Sequence, residues 1–142
     1  MEETEHRVRI RTADHADLVT LAAFIKQFVA AGKLLPRTFG ELEGLLDTFF
    51  LAEIDGELVG CAALEIYSPK LAEIRSLAVS PTAQGKGVGK QLVQACVTLA
   101  HERHIYEIMA ISSSEAFFKA CGFDFTLPNE RKAFFLQTRD DL

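Results

Sequence analysis

Glycines at 85, 87 and 89, set among Gln84, Lys86 and Lys90, stand between an apolar run at 72–79 and an amphipathic run that opens at Val88. Glycine lets a backbone turn tightly and come close to a ligand. A helix starting there points unpaired N–H groups outward at the positive end of its dipole, so the stretch suits a phosphate. Spacing decides which kind of phosphate loop it is. A Walker loop needs G-x-x-x-x-G-K-[ST], but Gln84 occupies the first glycine position and Gln91 follows Lys90. The dinucleotide fingerprint G-x-G-x-x-G accepts Gly85 and Gly87, but Lys90 replaces its third glycine. The spacing that fits is Q-x-x-G-x-G, met by Gln84, Gly87 and Gly89 behind Leu77-Ala78-Val79 and Pro81. A plain flexible loop before a basic helix start is the competing reading; it accounts less well for strand, loop and helix agreeing in order.

A second cation-bearing stretch is Lys33-Leu34-Leu35-Pro36-Arg37-Thr38. Pro36 prevents a helix from running through it. Thr38 with Glu41 makes a capping box, which starts a new helix. Arg37 therefore precedes a helix N-terminus, where a guanidinium fork and backbone donors together suit a carboxylate. The competing reading is a surface arginine on a connecting loop. His101 and His104 fall one residue short of H-E-x-x-H and read as a solvated helix face, so no metal is expected. Cys61, Cys96 and Cys121 form no C-x-x-C pair and lie among apolar residues. They read as small buried hydrophobes in a reducing cytoplasm.

The scaffold around these residues can be read from periodicity. Residues 8–11 alternate as a first strand, and Thr12 or Asp14 is placed to cap a helix directly after it. Leu18, Leu21, Ala22, Ile25, Phe28 and Val29 form one helical stripe, ended by Gly32. Leu42, Leu45 and Leu46 are the buried face of a short second helix. Strands are expected at 48–54 and 58–67 about an Asp55-Gly56 hairpin turn, and at 72–79 after Ser68-Pro69-Lys70. Links this short require antiparallel order. A long helix runs from the glycine loop to near His104, followed by a strand at 106–111. Ser112-Ser113-Ser114 is placed to cap a short helix carrying Phe117-Phe118 and closing at Gly122, before a last strand at 133–138.

At 142 residues the chain is expected to be a single domain, 1–142, large enough for a real core. No apolar run reaches the length of a membrane span, and the N-terminus is no signal peptide, so no membrane association is expected. A net charge of -5 argues against broad nucleic-acid binding, which calls for a basic face.

The element order, with Glu73-Ile74-Arg75-Ser76-Leu77-Ala78-Val79, the 84–89 loop and Phe117-Phe118-Lys119-Ala120-Cys121-Gly122-Phe123, resembles the GNAT N-acetyltransferases over nearly the whole chain. The implied α/β (α+β) fold is a mixed, mostly antiparallel sheet of about six to seven strands flanked by about four helices. Within that superfamily, the 32–38 loop followed by Glu41-Leu42, together with Glu73, resembles the amino-acid acetyltransferases close to N-acetylglutamate synthase of arginine biosynthesis.

The resemblance implies acetyl transfer from acetyl-CoA, as cosubstrate, to an amine, foremost that of a free amino acid such as glutamate. It places the backbone of Leu77, Ala78 and Val79 along the pantetheine arm. The amides of Gly85, Lys86, Gly87, Val88, Gly89 and Lys90 fall at the pyrophosphate, with Lys86 and Lys90 adding charge. Glu73 matches the carboxylate that takes the amine's proton; a solvated strand residue paired with Arg75 is its alternative. The usual tyrosine acid is absent, since Phe118 occupies its position. A hydroxyl from Ser112 or Ser113 is implied instead, stabilising the departing sulfur, with helix capping as an equal and compatible role. Arg37 falls at the acceptor's carboxylate with Arg75 nearby, and Arg131 or Lys132 suits a second carboxylate. No amino-acid-kinase domain precedes the chain, so feedback by arginine through one is not expected. A homodimer is open to such a domain. The competing functions are acetylation of a protein amine or polyamine, and a non-catalytic module that binds acetyl-CoA.

Overall fold

The computed structural model describes residues 7–125, 136 and 138. They fall into two compact units divided between Ile111 and Ser112.

The first unit is a five-stranded sheet in sequential order, β1 (Arg9–Thr12), β2 (Phe49–Ile54), β3 (Glu57–Ser68), β4 (Leu71–Val79) and β5 (Glu107–Ala110). The first four strands pair antiparallel and β5 joins β4 in parallel. The antiparallel links are short where the sequence requires it. Asp55 and Gly56 both take positive φ, 53° and 78°, the two-residue turn whose twist matches that of its strands. The parallel link is the crossover helix α3 (Val88–Glu102).

Helices α1 (Leu18–Ala30) and α2 (Phe39–Leu45) share a core with one sheet face. Leu18, Leu21, Ile25 and Phe28 of α1 and Leu42 of α2 are buried with Phe49, Leu51, Cys61 and Ala63. Alternation sends Ala52, Ala62 and Leu64 to the opposite face, and α3 packs across β2, β3 and β4 with Leu92, Val93 and Cys96 buried. Asp14, rather than Thr12, caps the turn into α1, in a capping box with Asp17. α1 ends as Gly32 predicts: φ is +73°, Gly32 N–H donates to the Val29 carbonyl, and Lys33 N–H donates to that of Phe28.

The second unit contains α4 (Glu115–Ala120). It closes in the same manner at Gly122, with the Phe118 and Phe123 rings 5.4 Å apart over the stop. The expected serine cap takes a different form. Ser114 makes no side-chain cap bond; Ser112 Oγ instead accepts from Ser114 N–H at 2.9 Å, closing a serine turn.

Five strands and four helices are present among the described residues, against the six to seven strands expected. Positions 133–135 and 137 of the expected last strand lie outside the described residues. So do Arg131 and Lys132. Among the described residues, no helix is long and apolar enough to cross a membrane.

Candidate active site

Two irregularities in the β3–β4 ladder bracket the predicted residues on β4. The register passes from Ala63↔Arg75 to Cys61↔Ala78, so Ala62 faces both Ser76 and Leu77. Ser76 takes a left-handed φ of 55° there, unusual outside glycine. The buried Cys61 thiol donates to the Ser76 carbonyl at 3.2 Å. Burial pushes that thiol far up, and likewise pushes Cys96 to about 12, so both stay protonated. Cys121 is only half-buried, a departure from the expected burial of all three.

The second irregularity lies between Ile66↔Ala72 and Ser68↔Leu71, where Tyr67 is the extra residue on β3. Between these two points Glu65 stands directly opposite Glu73. Both share a face with Arg75 and with Ala63, the face that α1 and α2 cover.

Arg37 reaches this face from the α1–α2 connection. Its Nε donates to Ser76 Oγ at 2.8 Å, and a terminal nitrogen donates to Glu65 Oε1 at 3.3 Å. Its side chain is only 8% exposed, which excludes the surface-arginine reading. Thr38 and Glu41 form both bonds of the predicted capping box, and this holds the backbone immediately after Arg37. Arg75 donates to the same Glu65 oxygen at 3.4 Å. Burial works against the Arg75 charge, but Tyr67, Glu73 and Glu65 together raise it above its ordinary value. Glu73 is half-buried and accepts from the Tyr67 hydroxyl at 2.5 Å. Tyr67 is half-exposed as a residue, but desolvation of its hydroxyl first, then the bond to Glu73, push it up to about 12.

The structure thus brings together Arg37, Glu73 and Arg75, and adds Glu65, Tyr67 and Ser76, which sequence reasoning missed. The available signal was alternation: Glu65 and Tyr67 lie two apart on the strand hairpinned to Glu73. Only the register shows that they meet. Ser112 and Ser113 belong to the second unit.

On its other side β4 pairs with β5 only from Leu71 to Ile74. Among the described residues, 75–79 have no ladder partner there, an open edge that an extended amide-bearing chain can join. The chain then turns through Pro81–Ala83 into the glycine loop. Gln84 Nε2 donates to the Val79 carbonyl at 3.3 Å and ties the loop back to the strand. Ala83 and Val88 are buried and anchor the loop, whereas 84–87 are exposed. Gly85 and Gly87 take φ of 83° and 78°, and Gly87 is the N-cap of α3 with no side-chain cap bond. The first amides of α3 therefore face outward at the positive end of a fifteen-residue helix. Gly89 lies inside α3 and needs no special φ. Strand edge, anchored loop and helix start are continuous in the chain, so an amide-bearing tail ending in a diphosphate would be held along its length.

A cleft of about 500 Å³ between α3 and the β1–β2 end is lined by Arg11, Phe50, Gln94 and Thr98 among others, and none of the predicted residues lines it. Among the described residues, no group of three or more His, Cys, Asp or Glu could hold a metal ion.

Residues 17–123 match the acetyltransferase (GNAT) family. The chain is 32% identical over 114 residues to an uncharacterized N-acetyltransferase of Chlorobaculum tepidum, covering 80% of this chain and 74% of that one. It is 37% identical over 108 residues to the amino-acid acetyltransferase of Neisseria meningitidis, covering 75% of this chain but only 25% of that protein. Among solved structures, N-acetylglutamate synthase of Neisseria gonorrhoeae complexed with coenzyme A and N-acetyl-glutamate superposes with a TM-score of 0.73 at 36% identity, over 82% of this chain and 28% of that one. A Mycobacterium tuberculosis protein in complex with CoA gives a TM-score of 0.71 at 28% identity, over 80% and 70%. This chain thus spans about a quarter of the length of the Neisseria proteins it matches.

Proposed function

Because this chain belongs to the acetyltransferase (GNAT) family, and so takes its acetyl group from acetyl-CoA, we propose that its acceptor is the amine of a free amino acid, L-glutamate foremost, as in arginine biosynthesis. The observation that carries this reading is the sequestered Arg37 guanidinium beside Arg75 and within the same cluster as Glu73. Such a pair of guanidiniums suits a carboxylate next to the amine to be acetylated.

The neutral amine attacks the thioester carbonyl carbon, a C–N bond forms, and the C–S bond breaks. Glu73, directly or through a water, takes the proton that the amine sheds. The departing thiolate takes a proton from solvent, and a hydroxyl of Ser112 or Ser113 is the hydrogen-bond donor proposed to stabilise the sulfur. Leu77, Ala78 and Val79 line the pantetheine arm, the amides of residues 85–90 hold the pyrophosphate with Lys86 and Lys90, and Arg131 or Lys132 meets a second carboxylate. Residues 1–142 act as one cytoplasmic acetyltransferase domain, in keeping with the odd number and scatter of the three cysteines.

Glu65 and Glu73, facing each other across the ladder, favour a second reading in which an ammonium-rich acceptor such as a polyamine is bound. One assay separates the two: CoA release from acetyl-CoA with a panel of free amino acids, then with polyamines. Turnover with glutamate or another free amino acid is expected. Turnover confined to polyamines would replace the reading, and no turnover with any acceptor would remove it.

A further inference from the structure

We propose that Tyr67 is a positioning residue for Glu73: its hydroxyl holds one carboxylate oxygen and leaves the other free for the acceptor's proton. The inference rests on the reading of Glu73 as the base and is tested separately from it.

Three observations carry it. Tyr67 Oη donates to Glu73 Oε1 at 2.5 Å, in the short range expected for a hydroxyl on a carboxylate. Tyr67 is the extra residue of a β-bulge, a feature that re-aims side chains and recurs next to active sites. A second bulge at Ser76–Leu77 lies on the far side of Glu73, so the carboxylate sits on the short regular segment between two departures from the ladder. The charged groups around Glu73 are Glu65 opposite it on β3 and Arg75 two residues along β4, with Arg37 reaching Glu65 from the α1–α2 connection. Its partner on β5 is Met109, which carries no charge.

Glu65 repels the carboxylate and Arg75 attracts it, but neither fixes which oxygen faces the acceptor. A single donor on Oε1 does. The hydroxyl keeps its proton throughout the neutral range, because burial and Glu73 itself oppose its ionisation.

Tyr67→Phe removes only the oxygen. In ¹³C-labelled protein, with E73Q identifying the Glu73 carboxyl carbon, the resonance of that carbon at neutral pH is expected to move in Y67F, because the donor on Oε1 is gone. The amide spectrum of the same samples verifies the fold. With acetyl-CoA and the best acceptor of the panel, Y67F is expected to lower kcat by ~10-fold, yet to change the rate by less than about twofold when added to E73Q. An unmoved resonance, or an equal loss of rate in both backgrounds, overturns the proposal even if E73Q is impaired. Parent-level turnover by E73Q would instead remove the base reading, and the proposal with it.

Discussion

Arg37 shows how much a side chain's surroundings change its meaning. In sequence it is one of fifteen basic residues, placed after a proline on a connecting loop. In the fold it is sequestered, with Nε on Ser76 and a terminal nitrogen on Glu65. A buried guanidinium costs solvation, and that cost is met only when each face of the fork has an acceptor. Two bonds leave part of the fork available, and an acceptor carboxylate would complete it. Arg37→Ala should therefore raise the KM for the acceptor by ~10- to 100-fold with a smaller effect on that for acetyl-CoA, because the planar fork is lost while the coenzyme edge loses only the bond to Ser76 Oγ. Arg37→Lys should recover little, since an ammonium cannot bridge two acceptors in one plane. Steady-state kinetics with each substrate varied checks both. A common increase in the two KM values would show that the loop, rather than the fork, had been disturbed.

Among the elements, the coenzyme loop depends on how closely α3 approaches β3. Gly60 makes that approach possible. A Cβ built there would lie 3.0 Å from Val88 Cγ1, 3.1 Å from the Ala78 carbonyl oxygen and 3.1 Å from Leu92 Cδ1. The two side chains can give a little, but the Ala78 carbonyl belongs to β4 and cannot. Gly60→Ala should push the first turn of α3 away from the sheet, costing about 1–3 kcal/mol and weakening acetyl-CoA binding together with stability. Urea denaturation and calorimetric titration of coenzyme measure the two effects. Loss of stability with unchanged coenzyme affinity would mean that the first amides of α3 do not depend on this packing. Gly87 presents the opposite case: a Cβ there meets nothing within 4 Å, so its constraint is the left-handed φ alone.

Across the molecule, what was legible in the sequence was whatever a local rule decides. The Asp55-Gly56 turn, the Thr38–Glu41 capping box and the glycine stops at 32 and 122 each involve a few consecutive residues, and each forms as read. The meeting of Arg37, Glu65, Tyr67 and Glu73 was not legible, because two bulges set it and a bulge is a property of a pair of strands. The ion network at the sheet's other edge was hidden for the same reason. Arg11 on β1 grips Asp17 through two bonds of 2.8 and 2.6 Å and Glu53 on β2 at 3.0 Å, joining the first strand, the start of α1 and the second strand. Arg11 holds the Asp17 carboxyl down at about 2, below its ordinary value near 3.8. A carboxyl lowered in the folded state stabilises above its unfolded value and loses that contribution as pH falls through the folded one. The pair should thus contribute fully above about pH 4 and fade toward pH 2, by about 1–2 kcal/mol once solvent screening is allowed for. Asp17→Asn keeps the shape and an acceptor for the Asp14 N–H but cannot titrate. Urea denaturation should find the parent more stable than D17N at pH 6 and the two converging near pH 2. A gap that stayed constant with pH would mean that the pair acts through packing rather than charge.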